Sequence, residues 1–256
     1  MTVRFSLMMS LTAMVTAMTG VQAVAQARNV RPSASPMVVI DSEHKDRIRG
    51  NCTLARVWAD QIPIRKYMKS VINIKESMNQ WTDVTTTLAS NTKLDSPRLH
   101  DLPVIFILAE EGFILTPPER QNVKKYLLDG GFIFCDNALG TYSGSPVETS
   151  FLALIRYALG DDVSFEPIES GHDFYHCFYD FDEGVPTVYS GKMVNSGRLS
   201  GIRYKDRLVA VYSNKGYSVT WDSEGSDILS LKIAVNSIIF ALTQDGGKAV
   251  RTYRSR

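Results

Sequence analysis

The sequence predicts an α/β fold with a mainly parallel, doubly wound sheet and an antiparallel extension in its C-terminal part. Two continuous apolar runs, 103–109 and 132–136, have the composition of strands that are covered on both faces. A segment with a clear helix start signal lies between them. A later segment, 200–214, alternates around a short polar turn as β-hairpins do.

The clearest unit begins with "PVIFILA", residues 103–109, which is rich in β-branched residues. Thr116 and Glu119 then form a capping box, with a proline at the first helical position. The helix is expected to end at Gly130, before the strand "FIFCD". A strand, a helix and a strand with short joints predict a parallel βαβ unit.

The same pattern repeats further along the chain. Ser145 and Glu148 form a second capping box before an amphipathic segment, and "VSFEPI" (163–168) is a candidate for the next strand. The hairpin over 200–214 favours antiparallel pairing, and Asp227 is expected to cap a last helix.

The N-terminal part of the domain gives weaker signals. "TLARVWA" (53–59) alternates apolar and polar residues and indicates a first strand. Apolar residues at helical spacing then predict an amphipathic helix through Met78, Trp81, Val84 and Leu88.

Residues 1–27 are typical of an export signal. Arg4 precedes a 12-residue apolar stretch, and Ala25-Gln26-Ala27 is a small-x-small cleavage site. Cleavage near Ala27 predicts a periplasmic or secreted protein. The alternative is an uncleaved N-terminal anchor, since the stretch from Phe5 to Ala27 is about long enough to span a bilayer.

The remaining chain divides into three predicted parts. Residues 28–51 indicate a linker or loosely ordered lead-in, 52–244 the α/β domain, and 245–256 a basic, flexible tail. With 28 Lys and Arg against 27 Asp and Glu, the charge gives no general attraction to nucleic acid. No second stretch is apolar enough to cross a membrane. The three cysteines match no zinc pattern, and whether two of them pair stays open.

The segments "LPVIFILAEEGFILTPPERQNVKKYLLDGGFIFCDN" and "GHDFYHCFYDFDEGVP" resemble the bacterial family called domain of unknown function 4159. The resemblance continues through "GIRYKDRLVAVYSN" and "IAVNSIIFALT" and covers about residues 52–243. That family is similar in fold to class I glutamine amidotransferase-like domains, including the trehalose-utilisation type. The resemblance implies an amidotransferase-like, flavodoxin-like sheet in which the turn after "FIFCD" presents the functional residue.

In amidotransferases a cysteine occupies that sharp turn, with a lowered thiol pKa and a partner histidine. Here Asp136 falls on the predicted turn and Cys135 lies one residue earlier. Because a shift of one residue along a strand moves a side chain to the opposite face, Cys135 is expected to pack beside a helix as a small apolar residue. The sequence therefore resembles these domains but has no cysteine at the position of the amidotransferase nucleophile.

Polar residues follow two strands that are predicted to be neighbours. Glu110, Glu111 and Gly112 follow the first strand, and Asp136 and Asn137 end the second. Ligands of open parallel sheets bind just beyond such strand ends, so these residues are candidates for ligand binding. The alternative is that the side chains of Asp136 and Asn137 only cap the following loop.

The histidines offer a second candidate. On a helix His172 and His176 could share a metal, but the aromatic residues around them favour extended structure, which would separate the two by about 13 Å. A single histidine, most simply His172 beside Gly171, is a better candidate to reach the strand-end acids. The alternative is that the histidines only form hydrogen bonds in ordinary packing. No metal site and no cofactor are predicted.

These observations lead to a main hypothesis and two alternatives. The main one is an exported, non-catalytic domain that binds an envelope protein or a small ligand near Asp136. The first alternative is a hydrolase in which Asp136 and His172 activate water, with or without a metal. The second is a structural subunit of a membrane-associated envelope assembly.

Overall fold

The computed structural model describes residues 35–41, 43–140, 144–189, 192–195, 197–223 and 228–254, and the predicted export signal lies outside them. Its strands are β1 (Met37–Asp41), β2 (Arg49–Leu54), β3 (Val57–Trp58), β4 (Asp83–Leu88), β5 (Thr92–Lys93), β6 (Val104–Ala109), β7 (Phe132–Asn137), β8 (Glu166–Pro167), β9 (Pro186–Tyr189), β10 (Lys192–Asn195), β11 (Ser200–Tyr204), β12 (Arg207–Ser213) and β13 (Val250–Arg254). Its α-helices are α1 (Ser70–Trp81), α2 (Pro117–Leu128), α3 (Pro146–Leu159), α4 (Tyr217–Asp222) and α5 (Ile228–Thr243). Within these residues, no helix has the length and apolarity that a membrane crossing requires.

The main sheet has the strand order β6-β7-β12-β11-β8. β6, β7 and β12 run parallel to one another, whereas β11 and β8 are antiparallel to their neighbours. Every residue of β7 is buried, because helices cover both faces of this strand. The predicted α/β class, with a parallel centre and an antiparallel extension, is confirmed.

Side chains alternate along β7 between two apolar layers. Phe132 and Phe134 pack in the layer that contains α4 and α5, while Ile133 and Cys135 pack in the layer that contains α2 and α3. This alternation follows from the two-residue period of a strand. It decides which layer each residue at the end of β7 enters.

The helix ends follow the predicted signals. Thr116 and Glu119 form the capping box of α2, and the Ser145 hydroxyl accepts a hydrogen bond from the Glu148 amide at 3.1 Å at the start of α3. Gly130, which follows α2, has a φ of +96°. A β-carbon there would lie 2.7 Å from the Gly246 carbonyl, so glycine is required at this position.

A second sheet, with the order β13-β1-β2-β4, was not predicted. Val38, Cys52 and Val84 on one face of this sheet pack against α1 and α5, and the opposite face is exposed. The prediction of a loose lead-in over 28–51 is therefore wrong for β1 and the start of β2. The prediction of a flexible tail is wrong for residues 250–254, because β13 pairs in parallel with β1.

Three other predicted elements have different bounds in the structure. Val84 and Leu88 lie in β4 and not in a continued helix, because the backbone becomes extended at Thr82 and the β-branched residues Thr85, Thr86 and Thr87 favour a strand. The strand predicted over 53–59 is interrupted between β2 and β3. The strand predicted over 163–168 is only two residues long in β8, and Asp227, the predicted cap of α5, lies outside the described residues.

Candidate functional site

Cys135 lies inside the sheet and not on a turn. It pairs in register with Ile107 of β6 and Tyr212 of β12 and is fully buried beside α2 and α3. Burial raises the pKa of its thiol well above the ordinary value, and the charge of Asp136 raises it further. A buried, protonated thiol is not a nucleophile, so the prediction that Cys135 is a packing residue is confirmed.

Asp136 lies on the opposite face of β7, close to its carboxyl end, and not on the predicted turn, because β7 continues to Asn137. Its Oδ2 accepts hydrogen bonds from the amide of Ser218, at 2.7 Å, and from the Ser218 hydroxyl. Its Oδ1 has no hydrogen-bond donor among the described residues. The side chain is fully buried, and desolvation raises the carboxyl pKa although the bonds from Ser218 lower it. Asp136 therefore holds the start of α4 against the end of β7.

Glu110 does not meet Asp136. Leu108 is the residue of β6 in register with Asp136, so Glu110 lies two residues beyond it. The Glu110 carboxylate instead pairs with the Lys66 ammonium and accepts a hydrogen bond from the Tyr67 hydroxyl. The contact with Lys66, followed by that with Tyr67, lowers the pKa of Glu110. The carboxylates of Glu110 and Asp136 therefore have separate partners, and no shared site of these two strand-end acids is formed.

The segment 66–70 extends from Glu110 to α4 across the end of β7. The amides of Lys69 and Ser70 donate hydrogen bonds to Asp222 Oδ1 at 2.5 and 3.2 Å, at the far end of this segment. Tyr67 has a φ of +53°, which is uncommon for a residue with a β-carbon. Burial and then the Glu110 contact raise the pKa of Tyr67 well above its ordinary value, and the charge of Asp136 also contributes. This segment could not be predicted from the sequence, because no local pattern in 60–69 indicates its contacts.

The other strand-end residues stabilise the local chain. The side-chain Nδ2 of Asn137 donates a hydrogen bond to the Ser145 hydroxyl at 3.1 Å, and its Oδ1 accepts one from the main-chain amide of Leu139 at 3.2 Å. A β-carbon at Gly112 would lie 3.1 Å from the Pro146 side chain, so Gly112 permits a close approach of α3. Glu111 is exposed. For Asn137, the structure matches the alternative reading, in which it caps the loop.

His172 is far from the strand-end acids. Its Nδ1 accepts a hydrogen bond from the Phe174 amide at 3.0 Å, and its ring lies 5.6 Å from the Phe240 ring. Phe240 in turn packs 5.7 Å from Phe132, the first residue of β7. Asp136 is four residues further along the strand, or about 13 Å. The expectation that His172 reaches Asp136 is wrong, because the aromatic layer around α5 holds the histidine at the opposite end of the sheet.

His176 and the three cysteines are the other residues that could bind a metal or form a disulfide. His176 binds the Asp180 carboxylate at 3.0 Å and the Ser170 carbonyl at 2.7 Å through its two ring nitrogens. No group of three or more His, Cys, Asp or Glu side chains among the described residues could hold a metal ion. All three cysteines are free, which answers the question left open by the sequence.

The sequence model of one family matches residues 53–242, and its description is "Domain of unknown function (DUF4159)". The chain belongs to this family. No curated protein matches the chain. Among solved structures, a ThuA-like protein from Bacteroides uniformis is similar at 13% identity with a TM-score of 0.41, and the similarity covers 76% of this chain and 92% of that chain.

The DUF4159 domain exposes several large apolar side chains around the carboxyl ends of β6, β7 and β12. They belong to four separate segments and are Met68 (51% exposed), Ile72 (38%), Ile114 (74%), Leu139 (60%) and Val219 (48%). We call this set the strand-end surface. Exposed apolar side chains that cluster in this way are typical of interaction sites.

Contacts beneath the strand-end surface show that three of its four segments, those of Leu139, Val219 and Met68, adjoin. A β-carbon on Gly140, next to Leu139, would lie 3.6 Å from the amide nitrogen of Gly216. The Val219 amide donates to the Gly216 carbonyl at 3.2 Å, which places Val219 beside that loop. The Ser70 hydroxyl donates to the Ser218 carbonyl at 3.0 Å. Met68, two residues before Ser70, therefore lies close to α4, whereas the side chain of Ile72 points away from the face of α1 that carries Ser70.

Proposed function

We propose that this DUF4159 domain is exported and acts as a non-catalytic binding domain, and that its strand-end surface binds a partner protein of the cell envelope. One observation carries the proposal. Asp136 is buried and Glu110 is paired with Lys66 and Tyr67, whereas the apolar side chains around them are exposed. A site that is closed to small molecules and rimmed by apolar side chains fits a protein surface better than a small ligand.

The protonation states at the strand ends support a non-catalytic role. An efficient general acid or base needs a pKa near the working pH. The Lys66 contact lowers the pKa of Glu110, and burial with the Glu110 contact raises that of Tyr67, so one stays ionised and the other protonated. Asp136 has no solvent access, and no histidine adjoins it. The hydrolase alternative with Asp136 and His172 therefore has no geometric support.

Export is supported by the sequence features of residues 1–27. The envelope location would be tested by separating the periplasmic and membrane fractions of cells that produce the full chain, followed by N-terminal sequencing of the protein recovered. A mature N-terminus at Arg28 is the expected result. A cytoplasmic protein with an intact first residue would contradict the proposal.

The binding surface can be tested by site-specific photocrosslinking in living cells. A photoreactive amino acid is placed at Leu139 or Val219, with Leu128 as the matched control. Leu128 is 50% exposed but ends α2, at the opposite end of the parallel strands. A discrete crosslinked protein is expected from Leu139 and Val219 and not from Leu128.

Two results would contradict the proposed function. The first is the absence of a crosslinked protein at both strand-end positions, or the same products at Leu128. The second is glutaminase or other hydrolase turnover by the purified protein that Cys135→Ser abolishes, because the buried thiol would then be a nucleophile after all.

A further inference from the structure

The two edges of the four-stranded sheet differ in a way that concerns association. At the β4 edge, the Asn79 side chain of α1 takes the place of a neighbouring strand. Its amide group donates to the Thr86 carbonyl at 3.0 Å, and its Oδ1 accepts from the Thr86 amide at 2.7 Å. Both outward main-chain groups of Thr86 are thereby used. A further strand cannot pair there without displacing Asn79.

The β13 edge has no such cover within the described residues, where β13 is the last strand of the sheet. The Val250 amide donates to the Pro36 carbonyl at 2.8 Å, so the main chain of Val250 and Thr252 faces β1. Because successive residues of a strand point their main-chain groups to alternate sides, the N–H and C=O groups of Arg251 and Tyr253 point outward. The side chains of Val250 and Tyr253 are exposed at the same edge.

We propose that β13 of a second copy of the chain pairs antiparallel with this edge and forms a symmetric dimer. A two-fold axis through Thr252 places the outward residues Arg251 and Tyr253 of one copy opposite Tyr253 and Arg251 of the other. In that register Arg251 of one copy lies opposite Tyr253 of the other, and both have outward N–H and C=O groups. They form a hydrogen-bonded pair that exchanges both main-chain bonds.

The charges favour the same register. An axis at Arg251 would place two guanidinium groups opposite each other, and like charges directly across a strand pair are destabilising. The axis at Thr252 instead places each guanidinium opposite a tyrosine. The dimer joins the two four-stranded sheets into one continuous sheet and removes both open edges. It also brings the exposed Val250 and Met37 of each copy toward the new interface.

The dimer interface is separate from the strand-end surface and does not depend on the proposed partner. It lies in the other sheet, and its residues occur in β13 and β1. A failure of the photocrosslinking experiment would therefore leave this inference unchanged. Conversely, a monomeric protein could still bind an envelope partner.

Disulfide trapping in the full chain tests the register. Thr252 lies on the axis, where facing residues form a non-hydrogen-bonded pair with Cα atoms about 4.5 Å apart, which is close enough for a disulfide. Thr252→Cys is compared with Thr85→Cys, an exposed position on β4, whose edge Asn79 covers. Mild oxidation is expected to crosslink Thr252→Cys into dimers and to leave Thr85→Cys monomeric. Cys52 and Cys135 are buried and Cys177 is partly buried, and because both variants contain all three, any background crosslinking is common to them.

A second pair of variants tests the main-chain bonds. Tyr253→Pro removes an outward N–H that β1 does not use, and edge strands tolerate proline in this position. Tyr253→Val keeps that N–H. Sedimentation equilibrium is expected to show a dimer for the wild type and Tyr253→Val and a monomer for Tyr253→Pro. Equal crosslinking of the two cysteine variants, or a monomeric wild type at the highest soluble concentration, would overturn the proposal. If Tyr253→Pro does not fold, the comparison of Thr252→Cys with Thr85→Cys alone tests the proposed dimer.

Discussion

At the scale of single residues, Asp136 and its neighbour Cys135 show how one strand position separates two environments. Cys135 enters the apolar layer of α2 and α3, whereas Asp136 enters the layer of α4 and binds Ser218. The order of the two residues and the period of a strand are enough to predict this difference from the sequence. The partner of Asp136 is 82 residues away in the chain, and no local pattern indicates it.

The buried carboxyl of Asp136 should make stability depend on pH. Desolvation raises its native pKa above the unfolded value of about 3.9. The unfolded state therefore ionises first, and the free energy of unfolding falls as the pH rises from the unfolded pKa through the native one. Asp136→Asn keeps an acceptor for Ser218 but cannot ionise. Its stability relative to the wild type should thus increase over this pH range, by about 1.4 kcal/mol for each pH unit by which the native pKa exceeds the unfolded one.

Urea unfolding at a series of pH values between 3 and 8 would measure this difference. Glu111→Gln is the matched control, because it also replaces one carboxyl group by an amide but at an exposed position. Parallel profiles for the wild type and Asp136→Asn would show that the buried carboxyl has the same pKa in both states.

At the scale of elements, a side chain from the hairpin of β11 and β12 completes the end of a helix. The Arg207 guanidinium donates to the carbonyls of Leu127, Gly130 and Gly131 at 2.7, 3.0 and 2.9 Å. These carbonyls belong to the last turn of α2 and the loop that leads to β7. Gly130 was predicted from the sequence as the end of the helix, but the arginine that binds its carbonyl follows only from the pairing of β12 with β7.

Replacing Arg207 should destabilise the domain without altering the residues of the strand-end surface. Arg207→Met fills a similar volume but removes the three hydrogen bonds that the guanidinium donates, for which we expect a loss of about 1–3 kcal/mol. Arg207→Lys should lose nearly as much, because an ammonium group lacks the planar fork that reaches all three oxygens. Urea unfolding measures both, and Arg203→Met on the exposed side of β11 is the control. A loss below that of Arg203→Met would contradict the capping role.

At the scale of the whole molecule, the predictable part of the fold is the part with local signals. The unit from β6 to α3 was predicted from apolar runs, capping boxes and terminal glycines, each of which acts within a few residues. The second sheet joins β1 and β13, which lie at opposite ends of the described chain and are only five residues long. Strands this short leave little periodic pattern, so their pairing depends on the tertiary structure. The same holds for Lys66 and Tyr67, which reach Glu110 across more than 40 positions.

The last eight residues provide a direct test of this long-range pairing. A chain that ends after Lys248 loses β13, which leaves β1 at the edge of the sheet and removes the bonds from Arg251 to the Thr243 carbonyl and the Asp245 carboxylate. We expect a loss of about 1–3 kcal/mol, from main-chain and side-chain hydrogen bonds together. In a domain of this size that lowers Tm by about 2–4 °C per kcal/mol. A chain that ends after Arg254 keeps the strand and should unfold at the wild-type temperature. If the shorter chain also keeps the wild-type Tm, the C-terminal segment is a flexible tail, as its basic composition alone predicts.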